Sequence, residues 1–201
     1  MTGLRLLADD LTGALDAAAP FAASRAAIAV RGVAEDGAGG GADWPGGDAA
    51  ISTSSRDLAA PEAVRRVRRL APGLAAGRPA FKKIDSLLRG NTAAEVVAAH
   101  RAGGFTATLV APAFPAQGRF VRAGRLCIEG GGAQDGVDLT ALLAAAGAEH
   151  SIAVCDTGTH DDLNRLVAAH LPAPAVLWAG SSGLARALAG TVPTAPMPQA
   201  R

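Results

Sequence analysis

Short apolar runs alternate along this chain with longer stretches whose apolar positions recur every three to four residues. Leu4 to Ala8, Ala27 to Val33, Ala49 to Ser52, Ala80 to Ile84, Phe105 to Ala111, Ser151 to Cys155 and Ala175 to Ala179 read as strands. The intervening stretches predict helices: an Ala-rich one after Asp9-Asp10 ending near Arg25, one from Pro61 to about Leu70, and one after Asn91 carrying Val96, Val97 and His100. Three more follow, over Leu139 to Ala146 behind the cap Asp138, from Thr159 or Asp161 through Leu171, and over Leu184 to Leu188. Pro112-Ala113-Phe114-Pro115 cannot continue a ladder, so the chain is expected to turn there into a hairpin around Leu126-Cys127-Ile128. Strands alternating with helices at this spacing predict an α/β fold, a three-layer domain with a mostly parallel sheet covered by helices on both faces.

Two stretches break the pattern. Glycines are too dense between Glu35 and Asp48 for a packed element, so this is expected to be a surface loop. Its Gly37-x-Gly39-x-x-Ala42 has the form of a dinucleotide fingerprint, but Trp44-Pro45-Gly46-Gly47 follows where the fingerprint needs a helix. Residues 1–190 are expected to form the domain, and residues 191–201 a proline-rich disordered tail.

Composition narrows the function. A formal net charge of +1 gives no electrostatic reason to expect nucleic acid or an acidic membrane as partner, and Arg65, Arg66, Arg68 and Arg69 are expected to form a solvated helix face. No run is apolar enough to span a bilayer and no secretory signal is evident, so a cytoplasmic protein is expected. Cys127 and Cys155 sit in apolar runs without a C-x-x-C partner, as reduced core residues would. No G-x-S-x-G elbow and no Walker A sequence occurs.

What stands out is where the polar residues fall. Asp9-Asp10, Ser55-Arg56, Asp85-Ser86, the Pro112 to Pro115 turn, Asp156-Thr157 and Gly180-Ser181-Ser182 each follow the carboxyl end of an expected strand, the edge at which open α/β sheets bind ligands. The two lysines of the chain, Lys82 and Lys83, lie together there, whereas its other 17 basic residues are arginines. A compact ammonium suits a small anionic or hydroxylated ligand that a planar guanidinium would crowd. Asp9 or Asp10 paired with Asp85 suits Mg²⁺ binding or general-base work, and Arg56 and Arg89 suit a carboxylate. The ligand these residues suggest is small, anionic and rich in hydroxyls.

Five blocks resemble, in order, the N-terminal domain of the four-carbon acid sugar kinases: Ala8-Asp9-Asp10-Leu11-Thr12-Gly13-Ala14, Thr53-Ser54-Ser55-Arg56, Lys82 to Asn91, Ala111 to Pro115 with Gly118-Arg119, and Ala179 to Ala185. The resemblance implies ATP-dependent phosphorylation of the terminal hydroxyl of a tetronate such as threonate, erythronate or a 3-oxo-tetronate. It implies that this domain holds the sugar acid through Asp9, Asp10, Arg56, Lys83, Ile84, Asp85, Ser86 and Arg89, with Asp10 or Asp85 as base. Leu87 stands where the family has Thr, at a position expected to face the core. ATP and Mg²⁺ are implied as cofactors, with the ATP site in a second domain or subunit. A non-catalytic module that recognises a sugar acid is the alternative.

Overall fold

The computed structural model describes residues 3–25, 27–33, 44–131, 136–171, 173 and 175–191. In chain order these form β1 (Arg5–Ala8), α1 (Leu11–Ala22), β2 (Ala29–Gly32), β3 (Ala49–Ser52), α2 (Ala60–Ala75), β4 (Ala80–Lys83), α3 (Thr92–Gly103) and β5 (Ala107–Ala111). There follow β6 (Arg119–Arg122), β7 (Arg125–Ile128), β8 (Val137–Asp138), α4 (Leu139–Ala145), β9 (Ile152–Val154), α5 (His160–His170), β10 (Val176–Gly180) and α6 (Ser182–Gly190). Seven strands make one sheet in the order β2-β3-β1-β4-β10-β5-β9, and every pairing in it is parallel. β6, β7 and β8 make a separate antiparallel sheet.

Side chains alternate across each strand, and this alternation sorts the core into layers. Leu6 and Ala8 of β1 join Ala14, Ala17 and Phe21 of α1, with Leu163 of α5 and Leu184 and Leu188 of α6, on one face. Leu7, between them in sequence, joins Val67, Leu70 and Leu74 of α2 and Ala98 and Ala99 of α3 on the other. A third cluster extends that second layer, where Val96 and Val97 of α3 meet Leu139 and Leu143 of α4 over Val110 and Ala179. The expected three-layer α/β architecture is present.

Several expectations need correction. α1 stops at Ala22 rather than near Arg25, because the chain turns where the Ser24 amide and hydroxyl both bond to the Phe21 carbonyl. α2 runs past Leu70 to Ala75, since Ala71 and Leu74 continue its buried stripe and outweigh the missing donor of Pro72. Arg66 does not belong to a solvated face: it is buried, and its guanidinium donates to the carbonyls of Thr53 and Ser54 and to Glu62. Both cysteines are free thiols, but Cys155 is half-buried rather than core. Leu87 is exposed instead of facing the core. The dinucleotide-like Gly37 to Ala42 and the tail from Val192 lie outside the described residues. Among the described residues no helix is long and apolar enough to cross a membrane.

Candidate functional site

The register of the sheet brings the strand ends level. Ala8 pairs with Ser52, Leu7 with Lys82, Lys83 with Gly180, and Gly180 with Ala111, so whatever follows each strand emerges along one edge. The helix leaving β1 covers one face and the helix leaving its neighbour β4 covers the other. That opens a crevice between them, the switch point of a doubly wound sheet. A cavity of about 170 Å³ lies there, with Asp10, Arg56, Lys83, Asp85 and Arg119 among its walls. It is smaller than the roughly 300–1,000 Å³ of drug-sized ligand sites and suits a compact polar molecule. A larger, mostly apolar cavity of about 290 Å³ lies beside Pro79, Trp178 and Leu188, around the opposite ends of the strands. It gathers none of the clusters that follow the strands.

The pleat divides the lysine pair. Lys82 is fully buried and turns toward α3, where its ammonium lies 2.8 Å from the Glu95 carboxylate. Lys83 turns the other way into the cavity and donates to the Ile84 carbonyl at 3.0 Å. Burial pulls the Lys83 ammonium below its ordinary pKa, against the upward pull of Asp9, Asp85, Asp16 and Asp10. Ile84 itself is core and is absent from the cavity wall; its part is to accept the Lys83 ammonium through its carbonyl.

Arg56 enters from the loop after β3. Its Nε and Nη2 fork onto Asp9 at 2.9 Å each, and its Nη1 reaches Asp10 at 2.5 Å. Asp9 is only 4% exposed, so this guanidinium is the counter-charge that makes its burial tolerable. The second oxygen of Asp10 accepts the Gly13 amide at 2.7 Å and caps α1. Asp85 is bound in the same manner: Arg89 reaches both of its oxygens, at 3.1 and 2.7 Å, and the Leu87 and Arg89 amides donate to Oδ1. Burial pushes the Asp85 carboxyl up, but these hydrogen bonds outweigh it and hold the pKa at about 2. The turn that makes this possible places Leu88 at φ 60 and Gly90 at φ 78.

Of the residues expected at the site, Asp10, Arg56, Lys83, Asp85, Ser86 and Arg89 line the cavity, Ile84 does not line it and touches the site only as the carbonyl acceptor of Lys83, and Asp9 lies behind Arg56. Asp16, Ser182 and Arg119 join them. Ser182, first in α6, donates to Asp16 of α1, and Arg119, first in β6, donates to Ser86. The Gly118-Arg119 pair was visible in the sequence, but nothing local says that the antiparallel sheet turns it back toward β4. The Asp156-Thr157 cluster does not join the site: Asp156 accepts the Ala123 and Gly124 amides and Thr157 bridges to Val121, fastening the β6–β7 hairpin. No histidine or cysteine among the described residues lines the cavity.

The carboxylates also bear on Mg²⁺. Both oxygens of Asp9, of Asp10 and of Asp85 already accept from arginine or backbone donors, and no cluster of three or more metal-ligating side chains occurs among the described residues. The arrangement does not fit an all-protein Mg²⁺ site.

Residues 4–139 match the model of a sugar-binding N-terminal domain family. The chain belongs to this family. This sugar-binding domain is 37% identical over 226 residues to the D-threonate kinase of Cupriavidus necator, across 92% of its own length and 53% of the kinase. It is 42% identical over 127 residues to the D-threonate kinase of Bordetella bronchiseptica, across 61% of its length and 31% of that protein. The domain therefore spans about half or less of these relatives. A crystal structure of a domain of unknown function from Bordetella bronchiseptica, a domain-swapped dimer with bound citrate, superposes with a TM-score of 0.76 at 29% identity, over 93% of this chain and 56% of the other.

Proposed function

We propose that this domain binds the acceptor of a four-carbon acid sugar kinase, a tetronate whose terminal hydroxyl is phosphorylated with Mg-ATP supplied by a separate domain or subunit. The observation that carries the reading is a small cavity at the switch point of the sheet, with the ammonium of Lys83 in its wall and, among the described residues, no carboxylate in an ion pair with it, in a domain whose relatives include D-threonate kinases. The citrate bound to the Bordetella bronchiseptica structure, a small hydroxylated polycarboxylate, is consistent with an anionic ligand.

In this reading Lys83 and Ser86 hold the sugar acid, Arg56 fixes the two aspartates behind it, and Asp10 or Asp85 orients the reacting hydroxyl. A carboxyl with a pKa of about 2 is a weak proton acceptor, so Asp85 serves orientation better than proton removal. Phosphoryl transfer through a loose transition state asks for little more than positioning on the acceptor side. A non-catalytic sugar-acid-binding module is the second reading, favoured by the engagement of all three carboxylates with donors.

Isothermal titration of the 201-residue chain with D-threonate, D-erythronate and their L-isomers is the direct test. Saturable binding of one tetronate is expected, and heat-silent titrations with all four would overturn the reading. Turnover on adding the nucleotide-binding half of a related kinase separates the enzyme from the module.

A further inference from the structure

The cations that line the site are of two kinds, divided by their partners. Arg56 is spent on Asp9 and Asp10, and Arg89 on Asp85. Lys83 and Arg119 line the same cavity, yet neither forms an ion pair among the described residues within 4.0 Å. The only side-chain hydrogen bond of Arg119 among the described residues goes to the hydroxyl of Ser86. A guanidinium carries five N–H donors, so most of its fork is left for a ligand.

The base of Arg119 is firmly placed. Its amide donates to the Phe114 carbonyl at 3.2 Å and its carbonyl accepts the Phe114 amide at 2.8 Å, which closes the Pro115–Gln117 turn. Gly118 precedes it at φ 63, and a Cβ there would lie 2.9 Å from Glu129 Cβ, so the turn takes glycine. The side chain is thereby aimed from the antiparallel sheet across the mouth of the crevice at the turn after β4. It is half-buried, which strengthens its hold on an anion relative to an exposed arginine.

Resting on the reading of the site as a sugar-acid site, we propose that Arg119 is its carboxylate-binding and specificity-determining residue. It takes the acid group in a bidentate fork beside the Lys83 ammonium, while Arg56 and Arg89 serve the protein's own aspartates. The domain thereby discriminates a sugar acid from the corresponding polyol through a residue contributed by the β6–β7 hairpin rather than by the parallel sheet. Binding of the acid and retention of the Ser86 contact are compatible, because the remaining donors outnumber the one that Ser86 uses.

The experiment compares wild type, Arg119→Gln and Arg119→Lys by isothermal titration with D-threonate and with D-threitol, its uncharged polyol counterpart, after thermal melts establish that each variant is folded. Arg119→Gln is expected to weaken D-threonate binding by roughly 10- to 100-fold, the usual weight of a hydrogen-bonded charge contact, and to leave D-threitol unchanged. Arg119→Lys is expected to restore part of the loss, because it returns the charge without the fork. A change below about threefold for D-threonate, or an equal loss for acid and polyol, overturns the proposal, since an arginine that merely holds Ser86 in place would affect both alike. A wild type that binds no tetronate overturns instead the reading of the site on which the proposal rests.

Discussion

Lys83 shows how much a single position depends on its neighbours. Its ammonium enters a space bounded by α1, where a Cβ on Gly13 would stand 3.4 Å from Nζ, and by the carbonyl of Ile84. A guanidinium in that place is both longer and flatter, so Lys83→Arg should displace either α1 or the ligand. The expected result is a loss of about tenfold or more in D-threonate affinity, the effect of an overpacked buried site, with the positive charge unchanged. Undiminished affinity in a calorimetric titration would remove the steric argument. The sequence announced that two lysines among seventeen arginines meant something, but not that they meant two things. Strand alternation sends Lys82 to Glu95 and Lys83 to the cavity, and that becomes visible only once β4 has neighbours on both sides.

At the scale of elements, the site rests on a buried polar junction between β1, the loop after β3, β4 and α3. Glu95 of α3 receives Lys82 at 2.8 Å and the Ser55 hydroxyl at 2.5 Å, Ser55 and Thr53 share a hydrogen bond of 2.6 Å, and the Ser55 amide donates to the Asp9 carbonyl at 2.8 Å. Arg66 holds the same loop from α2 through the Thr53 and Ser54 carbonyls. Arg56 is the next residue along, so this junction sets where its guanidinium can reach. Removing one partner of a fully buried pair strands the other, and Lys82→Met should cost about 3–5 kcal/mol in urea denaturation. Lys82→Met combined with Glu95→Gln should recover part of that, because the neutral amide still accepts from Ser55. A loss under about 1 kcal/mol for the single variant would mean that water reaches the pair. Most elements were legible from apolar spacing and caps, including Asp138 on α4; for α5 the sequence allows Thr159 or Asp161 as cap, and the structure assigns it to Thr159, with Asp162 completing a capping box. Arg66 was misjudged because a helix with four arginines looks solvated from sequence, while the loop carbonyls that bury this one come from residues 53 and 54.

For the whole molecule, the order of a parallel sheet is what sequence cannot give. β10, the last strand in the described chain, is inserted between β4 and β5, and this brings Ser182 against α1 beside Lys83. No local signal encodes an insertion decided by which apolar faces fit. Stability as a function of pH is a property at this scale, and two carboxylates far apart in the fold contribute to its acid limit, the more exposed one less because solvent screens it. Asp85 and Asp162 are both held at about 2, Asp85 by its arginine and amide donors against burial, and Asp162 by the Gly158 amide and by the hydroxyl and amide of Thr159. A carboxyl depressed in the folded state contributes stability that is present above its unfolded value of about 3.9 and is lost as pH falls through its folded value. Urea denaturation should therefore show a first decline below about pH 6.5, where the buried His100, whose pKa burial lowers, is protonated more readily in the unfolded chain, and a further fall between about pH 4 and pH 2 from the carboxylates. Asp162→Asn, remote from the cavity, isolates one contribution: the variant should be less stable than wild type at about pH 6, with the gap closing as pH approaches about 2 and D-threonate binding at neutral pH unaffected. A gap that stays constant over that whole range would show that the variant loses an acceptor oxygen of Asp162 rather than its charge.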